Sequence, residues 1–333
     1  MGTIHFDRLS EALETRVFSR VKFRKRKLPP CLYHYTSMSG LEGIISQNRL
    51  WATSAAESPK NDQKEIHYGC ELFKKLIDDQ LTTEISPFTV AILHELKPLI
   101  VGRVQNIFLT SFCTLDGDEE MHRNFGGYCL QFPLDNRGSV GVTAPHGLAA
   151  GQGFLTELVP AIYDQKDQKA ALLSVLNPLL QTLEDRSLIV GIDHGGWARA
   201  MAKFVAFTVS DLALTSITRM KGPGFRHERE WRLVVRPCRL RFSSDPTEAD
   251  RNCEYFIKQG PPKRHVELAP VEPRSTLVPG AIFGLLQSEP ALPVKAVRLS
   301  SCQHDREAES VRQLLSKHDL DAVAVLRSRV QHS

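Results

Sequence analysis

The chain has 333 residues, 42% of them hydrophobic, and sets 42 Lys and Arg against 38 Asp and Glu for a net charge of +4. That is enough apolar material for a sizeable core, arranged as one large or two smaller domains at roughly 150 residues each. A balance so near neutrality makes no whole-molecule demand for nucleic acid or an anionic surface. The seven cysteines are odd in number, dispersed and never spaced as CxxC. They read as reduced thiols, which excludes a disulfide framework or a structural zinc site. No uninterrupted apolar run reads as the roughly 18–20 residues of a membrane span. The start lacks a signal-peptide core, and Phe6 stands where a myristoylation signal wants Ser or Thr. The expectation is a soluble cytoplasmic protein with no membrane partner.

In chain order, Phe6, Leu9, Leu13 and Val17 are spaced as one face of a helix over 3–19. A basic run at 20–27 and Pro29-Pro30 follow, so residues 1–30 read as an appended helix and basic arm. The core is expected over 31–330 as a single domain. It opens with a strand, LYHYT, then a capped helix, LEGIISQ, and a second strand, WATS. Helices are expected from Ile66 towards Asp79 and over 87–100, the latter broken by Pro98. Strands follow at NIFLTSFC, GGYCLQFP and SVGVTAP, with a strand and turn over 154–163. Helices over 166–183 and 196–211 precede strands at EWRLVVRP and CRLRF. Residues 243–265 read as a turn-rich loop with a short strand at EYFIK. AIFGLL, VKAVRL, a helix over 305–317 and a last strand, AVAVLRS, complete the chain. Because βα units do not repeat regularly, the fold class is α+β and not a doubly wound sheet.

Three of these strands carry polar residues that bear on chemistry. His34 and Thr36 share one face of the first strand, and Tyr33 and Tyr35 the other. Thr110 and Ser111 interrupt an apolar strand, with no GxSxG elbow to make the serine a nucleophile. In EREWRLVV, strand alternation would put Glu228, Glu230 and Arg232 on one face, where Arg232 or Lys221 offsets the paired acids. A carboxylate there can bond a ribose hydroxyl and stabilise an oxocarbenium-like transition state. Asn61 or Asp62 fits a helix N-cap with an acid three residues on, or a loop that touches a ligand or divalent cation. Oxygen ligands at this spacing are too few for a metal site. His122 and Arg123 read as a helix end or loop. The histidines form neither HExxH nor a His/Cys cluster, and no P-loop or GxGxxG follows a strand.

Taken in order, LYHYTS with LEGII, then LWATS, NDQKE, SFC, Gly126-Gly127, LVPAIYD, EREWRLV and AIFG give a chain that resembles the bacterial domain-of-unknown-function family numbered 2971. The likeness spans roughly 31–330 and departs at Met121-His122, where such proteins often place a tryptophan. That family in turn resembles the ADP-ribosyltransferase fold, which implies a mixed or antiparallel split sheet with flanking helices. The resemblance also implies NAD as substrate and a site drawn from three strands. His34, with Tyr35 and Thr36 beside it, would bind the ribose on the nicotinamide side, and Asn61 and Asp62 would add ligand contacts. Ser111 would hold that ribose or buttress the glutamate. Glu230 would be the catalytic acid, with Glu228 orienting the acceptor, and Tyr35 or Tyr68 would stack on nicotinamide.

The expected function is therefore an NAD-dependent ADP-ribosyltransferase, or an NAD glycohydrolase, acting on a protein or nucleic-acid acceptor. The resemblance implies a bacterial toxin or anti-phage role. Two alternatives stand beside it. One is a non-catalytic nucleic-acid or protein binding module on the same fold. The other is a metal-dependent nuclease or phosphotransferase built on Asp62, Glu65 and Glu230.

Overall fold

The computed structural model describes residues 8–9, 11–18, 28–57, 60–135, 139–144, 154–185, 188, 196–237, 257–258, 264–270 and 290–328. The elements run β1 (Cys31–Thr36), α1 (Met38–Gln47), β2 (Leu50–Ser54), α2 (Lys60–Leu81), α3 (Pro87–Arg103), β3 (Phe108–Cys113), α4 (Glu119–Phe125) and β4 (Tyr128–Pro133). They continue with β5 (Val142–Thr143), β6 (Phe154–Pro160), α5 (Gln165–Leu183), α6 (Gly196–Ile217), β7 (Glu230–Pro237), β8 (His265–Pro270), β9 (Ala296–Leu299), α7 (Asp305–Lys317) and β10 (Ala324–Arg327). The class is α+β: a mixed, open sheet with flanking helices.

Two compact units emerge where the sequence suggested one segment over 31–330. One is helical and draws on residues 1–26, 55–107 and 162–224; the other carries the sheet on residues 27–54, 108–161 and 225–333. In the helical unit α2, α3, α5 and α6 bury an apolar core. Pro98 lies inside α3 without ending it. Arg103 is buried; it donates to Asp211 at 2.8 Å and lies 4.3 Å over the Phe207 ring. The N-terminal helix is not an appendage, because Leu9, Leu13 and Val17 are buried and Arg16 pairs with Asp185 at 2.8 Å. The basic run 20–27 lies outside the described residues, as do the expected strands CRLRF and AIFGLL. The segment Ala198–Ile217 is long and apolar enough by length and composition to cross a membrane, contrary to the sequence reading, yet 72% of it is buried inside the protein.

In the sheet unit, strand order is β10-β9-β4-β1-β3-β2-β8-β5, with β7 on β3 and β6 on β7. Among the described strands β9 and β10 run parallel and the other pairs are antiparallel. The edges of β3 are used unequally. β7 takes one edge from Phe108 to Cys113. The other edge is shared: β1 meets it at Tyr33–Cys113, and β2 at Thr53–Leu109 and Ser54–Phe108. Between those contacts β1 and β2 part, and Thr110, Ser111 and Phe112 have no ladder partner on that side. The sheet is forked at this point.

Local sequence fixes the two ends of the fork. Ser37 caps α1 by accepting from the Gly40 amide at 3.2 Å, and Asn48 ends the helix in the left-handed region at φ 53°. Gly126 closes α4 at φ +101°, where a Cβ would sit 2.7 Å from Ser37 Cα. Only glycine meets both demands, so α4 ends against the start of α1.

Candidate functional site

Backbone amides and carbonyls left by a parting ladder must find other partners. At the fork two side chains supply them. His34 Nδ1 donates to the Ser111 carbonyl at 2.9 Å, and Thr110 Oγ1 donates to the Trp51 carbonyl at 2.9 Å. A carbonyl can only accept, so His34 carries its proton on Nδ1 and leaves Nε2 as an acceptor while the ring is neutral. Burial lowers the His34 pKa, partly offset by the Ser111 carbonyl, and so keeps the ring neutral near pH 7.

Across β3, Ser111 stands opposite Arg232 and Cys113 opposite Glu230. Directly opposed residues share a face, so all four lie together. Ser111 Oγ donates to Glu230 Oε1 at 2.6 Å, a short charge-assisted bond. Arg232 Nε donates to the same oxygen at 2.9 Å, and Nη2 to Oε2 at 3.4 Å. Arg232 is fully buried and Glu230 is 3% exposed, while Ser111 faces solvent. Ser111 is thus the accessible end of a buried acid–base pair. Next to them, burial pushes the Cys113 thiol up to about 12, which keeps it protonated and unreactive.

The expected three-strand site is brought together only in part. Tyr33 opposes Cys113, so Tyr33 and Tyr35 share the face of Ser111 and Glu230, whereas His34 and Thr36 take the opposite one. The His34 ring accordingly lies 5.7 Å from Phe112. His34 reaches Ser111 through the backbone, from behind.

Glu228 is not on the strand. It ends a short 3-10 turn, Pro223–Glu228, and Arg229 at φ 45° breaks the alternation before β7 begins at Glu230. Glu228 and Glu230 therefore do not form the same-face pair that their spacing predicts.

Tyr35 does not offer a stacking ring. It is buried, donates to the Leu115 carbonyl at 3.1 Å, accepts from the Asp118 amide at 3.1 Å and meets His122 edge-on at 4.9 Å. Thr36 is half-buried against Gly40, where even a Cβ would not fit. Asn61 and Asp62 lie within the first turn of α2, which starts at Lys60, and so are not its N-cap; their side chains lie outside the described residues. In the helical unit, Glu65 accepts from the Gly222 amide at 3.4 Å. With Tyr68, Gln168 and Lys221 it lines a 240 Å³ pocket there. No group of metal-binding side chains occurs among the described residues.

Comparison with protein-family models, curated proteins and solved structures gives no significant match.

His122 and Arg123 lie in the last turn of α4, which Asp118 caps and Gly126 ends, so of the two readings the helix end holds. Sequence reasoning missed one feature. Trp51 stands on the Ser111 face of the sheet, since Thr53 opposes Leu109 and alternation carries the face to Trp51 and Ser111. A lone Trp in WATS gave no signal that it would be 40% exposed.

Proposed function

We propose that the protein breaks the nicotinamide–ribose bond of NAD, as an ADP-ribosyltransferase or NAD glycohydrolase of the ADP-ribosyltransferase-like fold. The observation that carries this reading is the Ser111–Glu230 hydrogen bond beside a forked sheet edge. In the proposed step the bond between the ribose carbon and the ring nitrogen breaks. Its electron pair passes to the ring, which leaves as neutral nicotinamide, and positive charge develops on the sugar. Glu230, paired with Arg232, supplies negative charge beneath that cation. Ser111, whose proton is committed to Glu230, accepts from a ribose hydroxyl and so fixes the sugar. His34, behind Ser111 on the opposite face of the sheet, donates to the Ser111 carbonyl and so positions that strand under the sugar. Water or an acceptor hydroxyl, amine or amide then attacks the sugar carbon, and its proton leaves to Glu228 or solvent.

The test is nicotinamide release from NAD, with ADP-ribose mass sought on protein and on added nucleic acid, for wild type, Ser111→Ala and Glu230→Gln. Release that depends on both residues in folded variants supports the reading. Equal release by Glu230→Gln, or none by wild type with every acceptor class supplied, removes it.

A second reading is favoured by one observation. Glu230 is 3% exposed and engages Arg232 through both oxygens, the pattern of a structural pair. On that reading the fork is a non-catalytic binding module, and salt-dependent binding of nucleic acid would survive Glu230→Gln.

A further inference from the structure

The pocket of the helical unit is built from segments of that unit alone. α2 gives Lys64, Glu65 and Tyr68, α5 gives Gln168, and the segment after α6 gives Lys221 and Pro223. Lys64 and Tyr68 are four residues apart and so lie side by side on α2. The segment after α6 is tied down through its backbone. The Ile162 amide donates to the Arg219 carbonyl at 2.6 Å, and the Lys221 amide donates to the Ile162 carbonyl at 3.0 Å.

Gln168 sets the chemistry of the wall. It is 2% exposed, and its Nε2 donates to the Ile162 carbonyl at 2.7 Å and to the Lys221 carbonyl at 2.9 Å. Carbonyls only accept, so these bonds use both amide hydrogens and fix which way the side chain is turned. Oε1 is the atom left over, and no protein donor meets it. Buried amide oxygens are rarely left so. A ligand here must bring an N–H or O–H donor.

The rest of the lining selects the ligand's body. A volume of 240 Å³ lies below the roughly 300–1,000 Å³ of sites for drug-sized molecules, which leaves room for one ring with small substituents. Tyr68 and Pro223, both exposed, offer flat surfaces to such a ring. The charged groups of the lining are Lys64, Glu65 and Lys221, so positive charge is in excess. Glu65 and Lys221 are buried and of opposite sign, and Glu65 also accepts from the Gly222 amide; Lys64 is exposed at the mouth. An anionic substituent on the outer side of the ring gains a charge-assisted contact there.

We infer that this pocket binds a small aromatic carboxylate carrying a ring hydroxyl, the hydroxyl donating to Gln168 Oε1 and the carboxylate meeting Lys64. The inference goes beyond the reaction proposed at the sheet fork and does not rest on it.

The probe is para-hydroxybenzoate, titrated calorimetrically into the full chain. Benzoate, which lacks the donor, and phenol, which lacks the charge, are its controls. Para-hydroxybenzoate should bind saturably. Loss of the hydroxyl should weaken binding about three- to tenfold, the scale of one hydrogen bond. Phenol should also bind more weakly, and Lys64→Gln should erase that difference. Tyr68→Ala should weaken binding about three- to tenfold, the scale of one aromatic contact. Both substituted residues are exposed, so both variants should fold. Gln168 also ties two backbone carbonyls together, so its part is read by changing the ligand.

Any of four results would overturn the assignment: no saturation at millimolar probe, benzoate or phenol binding as tightly as para-hydroxybenzoate, a preference for the carboxylate that survives Lys64→Gln, or unchanged affinity in folded Tyr68→Ala.

Discussion

Ser111 and Glu230 are joined across two antiparallel strands by a 2.6 Å bond from an exposed hydroxyl to a buried carboxylate. The serine is gripped from two directions, since His34 holds its carbonyl at 2.9 Å from the other face of the sheet. If the site is catalytic, Ser111→Ala removes the accessible contact without stripping the charge pair beneath it. Nicotinamide release is expected to fall by about 10²-fold, the scale of losing one positioned hydrogen-bonding group. Steady-state rates, beside an unchanged unfolding midpoint, check this.

The Glu230–Arg232 pair should behave as a buried pair. Arg232→Met strands a carboxylate in the sheet and is expected to cost about 3–5 kcal/mol. Glu230→Leu combined with Arg232→Met removes both charges and should cost less than Arg232→Met alone. Denaturant unfolding of the two variants decides it.

Acid should destabilise the fold through its imidazoles. Burial lowers the pKa of both His34 and His122 from 6.5. The unfolded chain then binds protons that the folded chain refuses, so stability is full above about pH 6.5 and falls as pH drops below it. His34→Gln should flatten that part of the slope between pH 7 and pH 5, measured by unfolding at a series of pH values. His122, whose Nε2 lies 2.7 Å from Ser328 Oγ, supplies the slope that remains.

Tyr35→Phe tests whether that residue is structural. Its hydroxyl joins the Leu115 carbonyl to the Asp118 amide, just ahead of α4. Removing it takes one partner from each of two half-buried backbone groups, the Leu115 carbonyl keeping the Cys113 thiol, and should cost about 1 kcal/mol. On the proposed NAD reading, the KM for NAD should not change, which is the measurement that separates this role from ring stacking.

Gly126→Ala should destabilise by more than about 1 kcal/mol, because it combines an unfavourable φ of +101° with a Cβ 2.7 Å from Ser37 Cα. Thermal unfolding against wild type reads the effect.

Much of this was legible in the sequence. Period-two alternation located β1, β3, β4 and β7, and helical spacing located α7 over Asp305–Lys317 with its bounds. The same alternation made Ser111 and Glu230 stand out as polar residues on otherwise apolar strands. It failed where a single residue left the repeat: Arg229 at φ 45° ends the alternation, so Glu228 never joins the strand. The expected loop ends at His265 and no strand is expected over the rest of β8, whose place in the sheet comes from pairing with β2.

The sequence by itself determined which residues could alternate, cap and bury, because those preferences act over a few neighbouring positions. Only the tertiary structure decided that β1 and β2 divide one edge of β3, that His34 lies behind Ser111, and that Trp51 stays open on the face of Glu230. Strand partners and the exposure of a face depend on segments far apart in the chain. No local pattern encodes which edge a strand will meet or what will cover it.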